Sequence, residues 1–352
     1  MHTRTPALRI AAVSPAPGEK ACSVLVPELV GRCESFQEAI DLVQLYAPWD
    51  APLLVVGETG TGKELVARSV HQCSPRRHRP FIAVNCATLP DTLIESELFG
   101  HVRGAFTDAS QNRQGLVRLA EGGTLFLDEV EALAPRGQGV LLRFLQDLSY
   151  RALGADQLHH ANVRIVATSN VDLRVQADAH QFRDDLLYRL DAFRIPLAPL
   201  RARMEDLELL VVHLLAKAAR QTNGIARTLS ADGLALLRGY HWPGNIRQLE
   251  HVLLKAHVVC QGPQVGTAEL RRSTPELAAA ATDGAAPPAT QNPLRAVKRA
   301  AADLAERQLV ADALLSTRGN ISAAARFLGM QRACLSRLVK KYGIKPRSPE
   351  GM

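Results

Sequence analysis

The sequence lacks the features of a membrane or secreted protein. No apolar run approaches the roughly 18 residues that a membrane-spanning helix needs. Arg9 and Pro15 interrupt the apolar stretch near the N-terminus, so this stretch does not resemble a signal peptide. The six cysteines include no CxxC pair, which argues against a zinc or thiol-redox centre. We therefore predict a cytoplasmic protein with no membrane partner.

Acidic residues are scarce near the C-terminus. Residues 294–352 contain twelve basic and four acidic residues, a net charge of +8, against +7 for the whole chain. Residues 1–293 therefore carry −1 and the basic character is confined to one end. Such a concentration of positive charge favours a nucleic-acid partner, although charge alone is equally compatible with a solvated surface.

The chain is long enough for two or three domains, with 352 residues of which 47% are apolar. Short apolar runs alternate with helical patterns in its first half, which predicts an α/β fold with a parallel sheet and helices on both faces. The predicted segments are a disordered N-terminal segment (1–26), an α/β subdomain (27–200), a helical lid subdomain (201–262), a flexible Ala/Pro/Thr-rich linker (263–293) and an all-α helix-turn-helix domain (294–352).

A phosphate-binding loop is predicted between Leu53 and Gln72. The apolar run Leu53–Val56 predicts a buried strand, and residues 65–72 predict a helix. Glycines let backbone N–H groups turn towards a phosphate, and the helix N-terminus favours an anion. The alternative is an ordinary Gly-rich turn. The residues predicted to surround the phosphates are Gly57, Glu58, Thr59, Gly60, Thr61, Gly62, Lys63 and Glu64. Glu64 stands where such loops usually carry a hydroxyl ligand for Mg²⁺.

Two carboxylates follow the next diagnostic strand, Thr124–Leu127. Strand C-termini face the ligand crevice in an open α/β sheet. Asp128 is thus placed to hold Mg²⁺ and Glu129 to polarise an attacking water. The alternative is an acidic turn with no catalytic role. A further strand, residues 163–170, ends in the polar Asn170 at the same edge.

Other stretches predict helices and one unusual loop. Asp91 is predicted to cap a helix that continues to Phe99. Residues 100–110 interrupt the α/β rhythm as a loop, with Phe106 at its tip. Residues 206–260 carry only helical periodicity.

The basic C-terminal end predicts a helix-turn-helix. Residues 320–328 form one short helical pattern, Gly329 a turn, and residues 331–342 a second pattern whose basic residues remain outside. The alternative is a two-helix packing motif without a DNA role. The predicted DNA contacts are Ser322, Gln331, Arg332, Ser336, Arg337, Lys340 and Lys341.

Several of these motifs together resemble the bacterial enhancer-binding proteins, AAA+ ATPases that activate transcription by sigma-54 RNA polymerase. The resemblance covers residues 28–262 and 295–345. It rests on GETGTGKE, ESELFGHVRGAFTDA, GGTLFLDE, FRDDLLYRL and WPGNIRQLE, followed by a Fis-type helix-turn-helix. The fourth and fifth motifs are similar to the arginine-finger and sensor II segments of that family.

The resemblance implies ATP and Mg²⁺ as cofactors and assigns further site residues. Val30 and Gly31 would lie near the adenine, and Arg247 and Asn170 would serve as sensors. Asn85 would restrain Glu129 until a subunit interface forms. Arg183 and Arg189 would reach the γ-phosphate of the neighbouring subunit in a hexameric ring, whereas their spacing alone does not distinguish this role from surface solvation.

The resemblance also implies the macromolecular partners. Sigma-54 RNA polymerase holoenzyme would contact a loop formed by Gly104, Ala105, Phe106, Thr107, Asp108 and Ala109. Asp108 replaces a glycine of the family motif GAFTGA, which adds charge and removes flexibility. The helix-turn-helix would bind a palindromic upstream enhancer in double-stranded DNA as a dimer. We expect no N-terminal regulatory domain, so control would come from a regulatory protein or a related co-activator.

The predicted function is therefore an ATP-hydrolysing, DNA-tethered activator that remodels the closed sigma-54 promoter complex. The alternative is a DNA-binding regulator that Asp108 prevents from engaging sigma-54, and that acts as a repressor or needs a partner subunit.

Overall fold

The chain divides into two units, residues 1–284 and 285–352. The computed structural model describes residues 29–106, 109–274, 313–314, 317, 320–327 and 335. The predicted disordered segment 1–26 lies outside these residues. Within them, no helix is long and apolar enough to cross a membrane.

Strands and helices alternate through the α/β part of the first unit. The described strands are β1 (Leu53–Val56), β2 (Phe81–Asn85), β3 (Gly100–His101), β4 (Arg113–Gln114), β5 (Thr124–Asp128), β6 (Ser149–Tyr150), β7 (His159–His160), β8 (Arg164–Ser169), β9 (Phe193–Pro196), β10 (Thr228–Leu229) and β11 (Gln264–Val265). The described helices are α1 (Glu34–Tyr46), α2 (Lys63–Gln72), α3 (Ile94–Phe99), α4 (Leu116–Leu119), α5 (Pro135–Asp147), α6 (Leu173–Asp178), α7 (Asp184–Leu190), α8 (Leu207–Gln221), α9 (Ala231–Arg238), α10 (Asn245–Val259), α11 (Thr267–Ser273) and α12 (Ile321–Phe327).

The main sheet is parallel and has the strand order β2-β5-β8-β1-β9 within the described residues. Alternate residues of its strands enter two different cores. Leu54 and Ile165 pack in a cluster with residues of α3, α5 and α7, whereas Leu53, Val55 and Val166 pack in a cluster with residues of α1 and α2. The predicted α/β fold with helices on both faces is confirmed.

The edge strand β9 was not predicted from the sequence. It has four residues, one of them Arg194, and it ends at Pro196, so its pattern is that of a loop. Proline is tolerated there because β9 is the edge strand, pairing among the described residues with β1 alone, and Pro196 lies opposite Val56 at the end of the ladder. The next residue, Leu197, donates its N–H to Val56 O over 2.7 Å.

The predicted cap at Asp91 is wrong. Helix α3 begins at Ile94, and Leu93 occupies the N-cap position without a side-chain hydrogen bond. The residues before it form turns instead, with Leu93 N–H donating to Pro90 O. The sequence pattern alone could not exclude the cap, because Asp91 after Pro90 is equally typical of a turn and of the start of a helix.

Helices α8, α9 and α10 form the helical subdomain, in agreement with the periodicity of residues 206–260. Their core includes the fully buried Trp242 and Leu249. Val265 of β11 and Leu270 of α11 are also fully buried in this core. Residues 264–273 therefore belong to the subdomain. A linker cannot begin at residue 263, as predicted, but only after residue 273.

In the second unit the described helix is α12. Ala323 N–H donates to Asn320 Oδ1 over 3.1 Å, which caps the start of the helix. Ala324 and Ala325 are buried, as expected of small residues at a close helix contact. Leu335, in the second predicted helical pattern, is helical and buried.

Candidate nucleotide site

The loop between β1 and α2 has the conformation that its glycines permit. Gly60 and Gly62 have φ values of 82° and 99°, in the left-handed region that L side chains rarely adopt. Thr61 closes the loop by donating from Oγ1 to Glu58 O over 2.8 Å. The loop therefore delivers Lys63 at the N-terminus of α2, where main-chain N–H groups are unpaired within the helix.

Lys63 is buried and held by three oxygen acceptors. Its Nζ lies 2.6 Å from Asn170 Oδ1, 2.8 Å from Gly57 O and 3.0 Å from Glu58 O. Burial lowers the pKa of Lys63, while the charges of Glu131, Asp128 and Glu129 act against this shift. The ammonium group is thus placed between the loop and the carboxyl ends of the strands.

A single hydroxyl group organises the two predicted catalytic carboxylates. Thr168, on β8, donates from Oγ1 to Asp128 Oδ1 over 2.5 Å and accepts the N–H of Glu129 over 3.1 Å. Glu129 has a φ of 57°, which is uncommon for a residue with a Cβ. This left-handed turn ends β5 and directs the chain into a 3-10 turn, residues 130–132.

Asn85 lies at the end of β2, in register with Asp128. Its Oδ1 accepts the N–H of Ala87 over 2.9 Å and so caps a short 3-10 turn. The side chains of Asn85 and Glu129, both described, are not joined by a hydrogen bond. The restraint that the family resemblance implies is thus not formed in this single chain.

Glu131 is a site residue that the sequence reasoning missed. Its Oε1 accepts both the main-chain N–H of Asn170, over 3.0 Å, and the side-chain Nδ2, over 2.7 Å. The sequence reasoning considered only the two carboxylates directly after the strand, Asp128 and Glu129, whereas Glu131 lies three residues beyond Asp128.

The lid subdomain contacts the phosphate-binding loop through the start of α10. Gly60 O accepts the N–H groups of Ile246 and Arg247 over 2.9 and 3.3 Å. Asn245, which is fully buried, donates from Nδ2 to Thr59 O over 3.0 Å and accepts the N–H of Leu200 over 2.7 Å. Asn245 was quoted within the WPGN motif but was not predicted to contact the loop.

A buried ion pair closes the opposite end of the site. Arg203 donates from Nε to Asp206 Oδ2 over 2.8 Å and from Nη2 to Val30 O over 2.9 Å. Its guanidinium also lies 4.3 Å from the ring centroid of Phe36. A Cβ at Gly31 would lie 2.5 Å from both side chains, so only glycine fits there. This contact fixes the Val30–Gly31 segment against the lid.

Burial acts to raise the pKa of Asp206, but hydrogen bonds from Cys33 and Arg32 and the charge of Arg203 outweigh it. Its pKa therefore lies below the ordinary value. Asp206 Oδ1 accepts the N–H groups of Arg32 and Cys33 over 2.5 and 2.9 Å. Neither Arg203 nor Asp206 was predicted as a site residue, because the main-chain groups that they bind, in Val30, Arg32 and Cys33, lie more than 170 positions away.

A cavity of about 270 Å³ lies between the phosphate-binding loop, the strand ends and the lid. It is bounded by the predicted residues Val30, Thr59, Gly60, Thr61, Gly62, Lys63, Glu64, Asp128, Glu129, Asn170 and Arg247. Among the described residues, Gly31, Gly57, Glu58, Asn85, Arg183 and Arg189 do not line it. One cavity thus brings together the phosphate-binding loop, both strand-end carboxylates and the sensor positions.

The two predicted arginine fingers lie elsewhere on the same chain. Arg183 precedes α7, is exposed, and donates from Nε and Nη2 to Asp185 over 3.0 and 2.8 Å. Arg189 is exposed in the last turn of α7. Arg183 borders a more open cavity of about 460 Å³ beside α5, which contains none of the strand-end groups.

The loop after α3 is closed at its base. Gly104 N–H donates to Ala109 O over 2.9 Å, and Ala109 N–H donates to Phe106 O over 3.0 Å. The Phe106 ring is half-buried, 4.9 Å from the ring of His101. The prediction of a loop with Phe106 near its tip omitted this ring contact. Thr107 and Asp108 lie outside the described residues.

The predicted DNA contacts fall almost entirely outside the part of the chain that the structure describes. Ser322 lies in α12. The others, all beyond Phe327, are Gln331, Arg332, Ser336, Arg337, Lys340 and Lys341.

Three family models match the chain in consecutive segments. They are described as the sigma-54 interaction domain, matching residues 29–196, the AAA+ ATPase lid domain, matching residues 201–287, and the bacterial regulatory protein, Fis family, matching residues 302–342.

Two curated relatives are each 40% identical to the chain. The match to the Nif-specific regulatory protein of Azotobacter vinelandii covers 91% of this chain and 59% of that protein. The match to the response regulator protein PilR of Pseudomonas aeruginosa covers 90% of this chain and 70% of that protein. A third relative, the DNA-binding transcriptional activator HyfR of Escherichia coli, is 37% identical, and the chain spans 48% of its length. The chain thus spans about half to two thirds of these relatives.

Among solved structures, NtrX from Brucella abortus in complex with ATP is similar, with a TM-score of 0.64 and 30% identity. The match covers 91% of this chain and 70% of that chain. The order of the three matched segments agrees with that of the motifs, and the identity to PilR extends over two thirds of that protein. The chain therefore belongs to the bacterial enhancer-binding protein family, whose members join a sigma-54 interaction domain and an AAA+ lid to a Fis-type helix-turn-helix.

Proposed function

We propose that the chain is an ATP hydrolase that activates transcription from sigma-54 promoters while bound to upstream DNA. The observation that carries this proposal is the convergence of Lys63, Asp128, Glu129, Asn170 and Arg247 on one cavity. Phosphoryl transfer needs positioned positive charge and a positioned nucleophile, with little covalent chemistry from the protein. Lys63 and Arg247 would supply the positive charge, Asp128 would hold the metal ion, and Glu129 would position the attacking water, which is the nucleophile.

The phosphates of ATP would bind at the N-terminus of α2. The loop from Gly57 to Gly62 presents main-chain N–H groups, and the aligned peptide dipoles of α2 favour an anion at that end. Lys63 would exchange its present carbonyl acceptors for phosphate oxygens. The adenine would lie near Val30 and Gly31, where the Arg203 and Asp206 pair holds the chain.

The residues of the site fit a magnesium ion. Asp128 Oδ1 accepts a hydrogen bond from Thr168, and its Oδ2 makes none to a described residue, so a carboxylate oxygen is available for a hard cation. Glu64, next to Lys63, is half-exposed and paired with Arg68 over 2.8 Å. We infer that Asp128 would hold Mg²⁺, which when bound neutralises charge on the phosphate oxygens.

Glu129 would act as the general base that takes a proton from the attacking water. Its backbone is held by Thr168, and its side chain lines the cavity beside Asp128. A general base contributes on the order of 10²- to 10⁴-fold to a rate. Asn85 would restrain this carboxylate until a neighbouring subunit is engaged, as the family resemblance implies.

Arg183 and Arg189 would act on the site of a neighbouring subunit. Both are exposed and neither lines the cavity of their own chain, which supports a role in trans. Stabilisation of the transition state by such an arginine requires a closed ring, and the family resemblance indicates a hexamer. ATP hydrolysis in the ring would move the loop of residues 104–109 against sigma-54.

The C-terminal unit would bind a palindromic enhancer as a dimer. Residues 331–341 would supply the base and phosphate contacts, so affinity should fall steeply with salt concentration. DNA binding would raise the local protein concentration and favour ring assembly. A regulatory protein or related co-activator would act in trans on this assembly.

The experiment that tests the proposal measures ATP hydrolysis and open-complex formation with sigma-54 holoenzyme on a promoter carrying the upstream site. The natural protein is compared with Glu129→Ala, Asp108→Gly and the control Glu121→Ala, whose carboxylate binds Asn162 N–H away from the site. We expect Glu129→Ala to lower kcat by about 10²-fold or more and to abolish open complexes. The control should retain both activities.

Hydrolysis by Glu129→Ala at a rate close to that of the natural protein would contradict the assignment of Glu129 as the base. Hydrolysis without open complexes in the natural protein, restored by Asp108→Gly, would overturn the proposed activation of sigma-54 and favour a regulator that does not engage it. Open complexes formed by the natural protein would show that Asp108 is compatible with activation.

A further inference from the structure

One hydrogen-bonded chain links the phosphate-binding loop to the turn after β5. Lys63 Nζ donates to Asn170 Oδ1 over 2.6 Å, and Asn170 Nδ2 donates to Glu131 Oε1 over 2.7 Å. The main-chain N–H of Asn170 donates to the same oxygen over 3.0 Å. The sensor amide is thus held between a cation and a carboxylate.

The chemistry of the two ends allows only one orientation of the Asn170 amide. An ammonium group only donates hydrogen bonds, and an ionised carboxylate only accepts them. The carbonyl oxygen of Asn170 must therefore face Lys63, and its NH₂ group must face Glu131. Rotation of the amide by 180° would place its NH₂ donors against the Lys63 ammonium.

Glu131 is well placed to hold this orientation. It lies in the 3-10 turn of residues 130–132, where Ala132 N–H donates to Glu129 O over 2.9 Å. Val130 and Leu133 on either side are buried, so the turn is fixed in the core. The second carboxylate oxygen, Glu131 Oε2, is buried and makes no hydrogen bond to a described residue. The gain from Oε1 must therefore offset the desolvation of Oε2.

We propose that Glu131 is a positioning residue of the nucleotide site, because it fixes the Asn170 amide so that the carbonyl oxygen locates the Lys63 ammonium. This inference rests on the proposed ATP hydrolysis and deepens it. Glu131 is not expected to touch the substrate. Its effect on the reaction passes through Asn170, which distinguishes it from Asp128 and Glu129.

The test is a double-mutant cycle on the full chain with Glu131→Ala, Asn170→Ala and the double variant, together with Glu131→Gln. We measure kcat, KM for ATP and the Kd of a fluorescent ADP analogue. Glu121→Ala is the matched control, because Glu121 precedes β5 and accepts the N–H of Asn162 before β8, whereas Glu131 follows β5 and accepts from Asn170 after β8.

We expect Glu131→Ala to lower kcat by about 10- to 100-fold through misplacement of the site groups, with a smaller change in KM. The double variant should match Asn170→Ala within about twofold, because both changes break one chain of contacts. Glu131→Gln keeps an acceptor oxygen for both Asn170 donors, so its kcat should stay within about threefold of the natural value. Glu121→Ala should leave kcat unchanged.

The inference would be overturned if the losses in kcat of Glu131→Ala and Asn170→Ala multiply in the double variant. It would also be overturned if Glu131→Gln is as impaired as Glu131→Ala. If the natural chain binds the ADP analogue but hydrolyses no ATP, the proposed hydrolysis fails. The cycle in Kd then decides the inference, because non-additive effects support the linkage and additive effects contradict it.

Discussion

Thr168 controls two residues of the nucleotide site with one hydroxyl group. It donates to Asp128 Oδ1 and accepts the N–H of Glu129, so a single side chain sets both the proposed metal ligand and the proposed base. A pattern of polar residues after a strand predicts that such groups lie close together. It does not indicate which of them positions the others.

We predict that Thr168→Val lowers kcat for ATP by about 10-fold or more, because Asp128 loses its donor and the N–H of Glu129 loses its acceptor. The measurement is steady-state ATPase activity as a function of Mg²⁺ concentration. Thr168→Ser retains the hydroxyl and is the control, which should remain near the natural activity. Equal activity of the Val and Ser variants would show that the hydroxyl has no positioning role.

Asp206 shows a similar concentration of contacts at the other end of the site. Its side chain is fully buried and binds two main-chain N–H groups and Arg203. We predict that Asp206→Asn lowers the free energy of unfolding by about 3–5 kcal/mol, because Arg203 would remain buried without its charged partner. Urea denaturation measures this loss. The surface variant Asp185→Asn is the control and should change the unfolding free energy little.

The low pKa of Asp206 also gives the stability a pH dependence. Its folded pKa lies below the value of about 3.9 expected for an unfolded chain. The contribution of Asp206 is therefore complete above that unfolded value and is lost as pH falls through the folded pKa. Unfolding free energies measured from pH 6 down to the acid range should fall less steeply in Asp206→Asn than in the natural protein. Parallel curves would contradict this assignment.

At the scale of elements, the phosphate-binding loop and the start of α10 meet at Gly60. A Cβ at Gly60 would lie 2.4 Å from Gly244 O, whereas one at Gly62 would have no neighbour within 4 Å. Both glycines have positive φ. The pair therefore separates backbone strain, which both substitutions introduce, from a clash with the lid, which only one introduces.

We predict that Gly60→Ala weakens ATP binding by about 10-fold more than Gly62→Ala. Backbone strain costs roughly 1–2 kcal/mol in either variant, so strain does not account for the difference. The difference arises from displacement of Asn245 and Arg247 from the loop. Titration with a fluorescent nucleotide analogue measures both affinities. Equal losses in the two variants would show that the contact between loop and lid does not contribute to binding.

Helix α1 ends on an unusual partner. Arg164 at the start of β8 is fully buried and donates to Ala47 O over 2.6 Å and to Tyr46 O over 2.9 Å. Burial lowers the pKa of Arg164 to about 10. The guanidinium thus satisfies carbonyl groups that the end of a helix leaves unpaired.

We predict that Arg164→Met lowers the free energy of unfolding by about 2–4 kcal/mol, since two carbonyl oxygens lose their donor inside the protein. Thermal and urea unfolding measure this change. Arg118→Met, on the short helix α4, is the control for loss of an arginine without such contacts. If Arg164→Met has the same free energy of unfolding as the natural protein, water must replace the guanidinium as the donor to these carbonyl groups.

At the scale of the whole molecule, the exposed arginines and the cavity belong to different surfaces of one chain. A subunit with Glu129→Ala would still offer Arg183 to its neighbour, and a subunit with Arg183→Ala would still contain a complete base. We predict that mixing these two inactive variants restores about a quarter or less of the natural ATPase activity, because some interfaces combine the intact groups. The measurement is ATPase activity against mixing ratio.

The control for this experiment mixes Glu129→Ala with Lys63→Ala, which damage the same cavity. This mixture should restore less activity than the first, because an active interface needs both groups in one subunit. Absence of any gain in the first mixture would contradict action of Arg183 in trans.

Elements whose causes are local could be predicted from the sequence alone. Glycine spacing specifies the turn at residues 57–62, and short apolar runs specify β1, β5 and β8, because a buried strand needs only its own side chains to be recognisable. The positions of Lys63, Asp128, Glu129 and Asn170 at one edge follow from the rule that parallel strands end together. The segments and their order could therefore be predicted without the tertiary structure.

Tertiary structure decided the contacts that join distant parts of the chain. Asp206 binds Arg32 across 174 positions, Asn245 reaches Thr59 across 186 positions, and Glu131 orients Asn170 across 39 positions. The edge strand β9 and helix α11 likewise depend on packing against β1 and α10. None of these has a local pattern, because a hydrogen bond between remote residues is specified by how the chain folds and not by spacing along it.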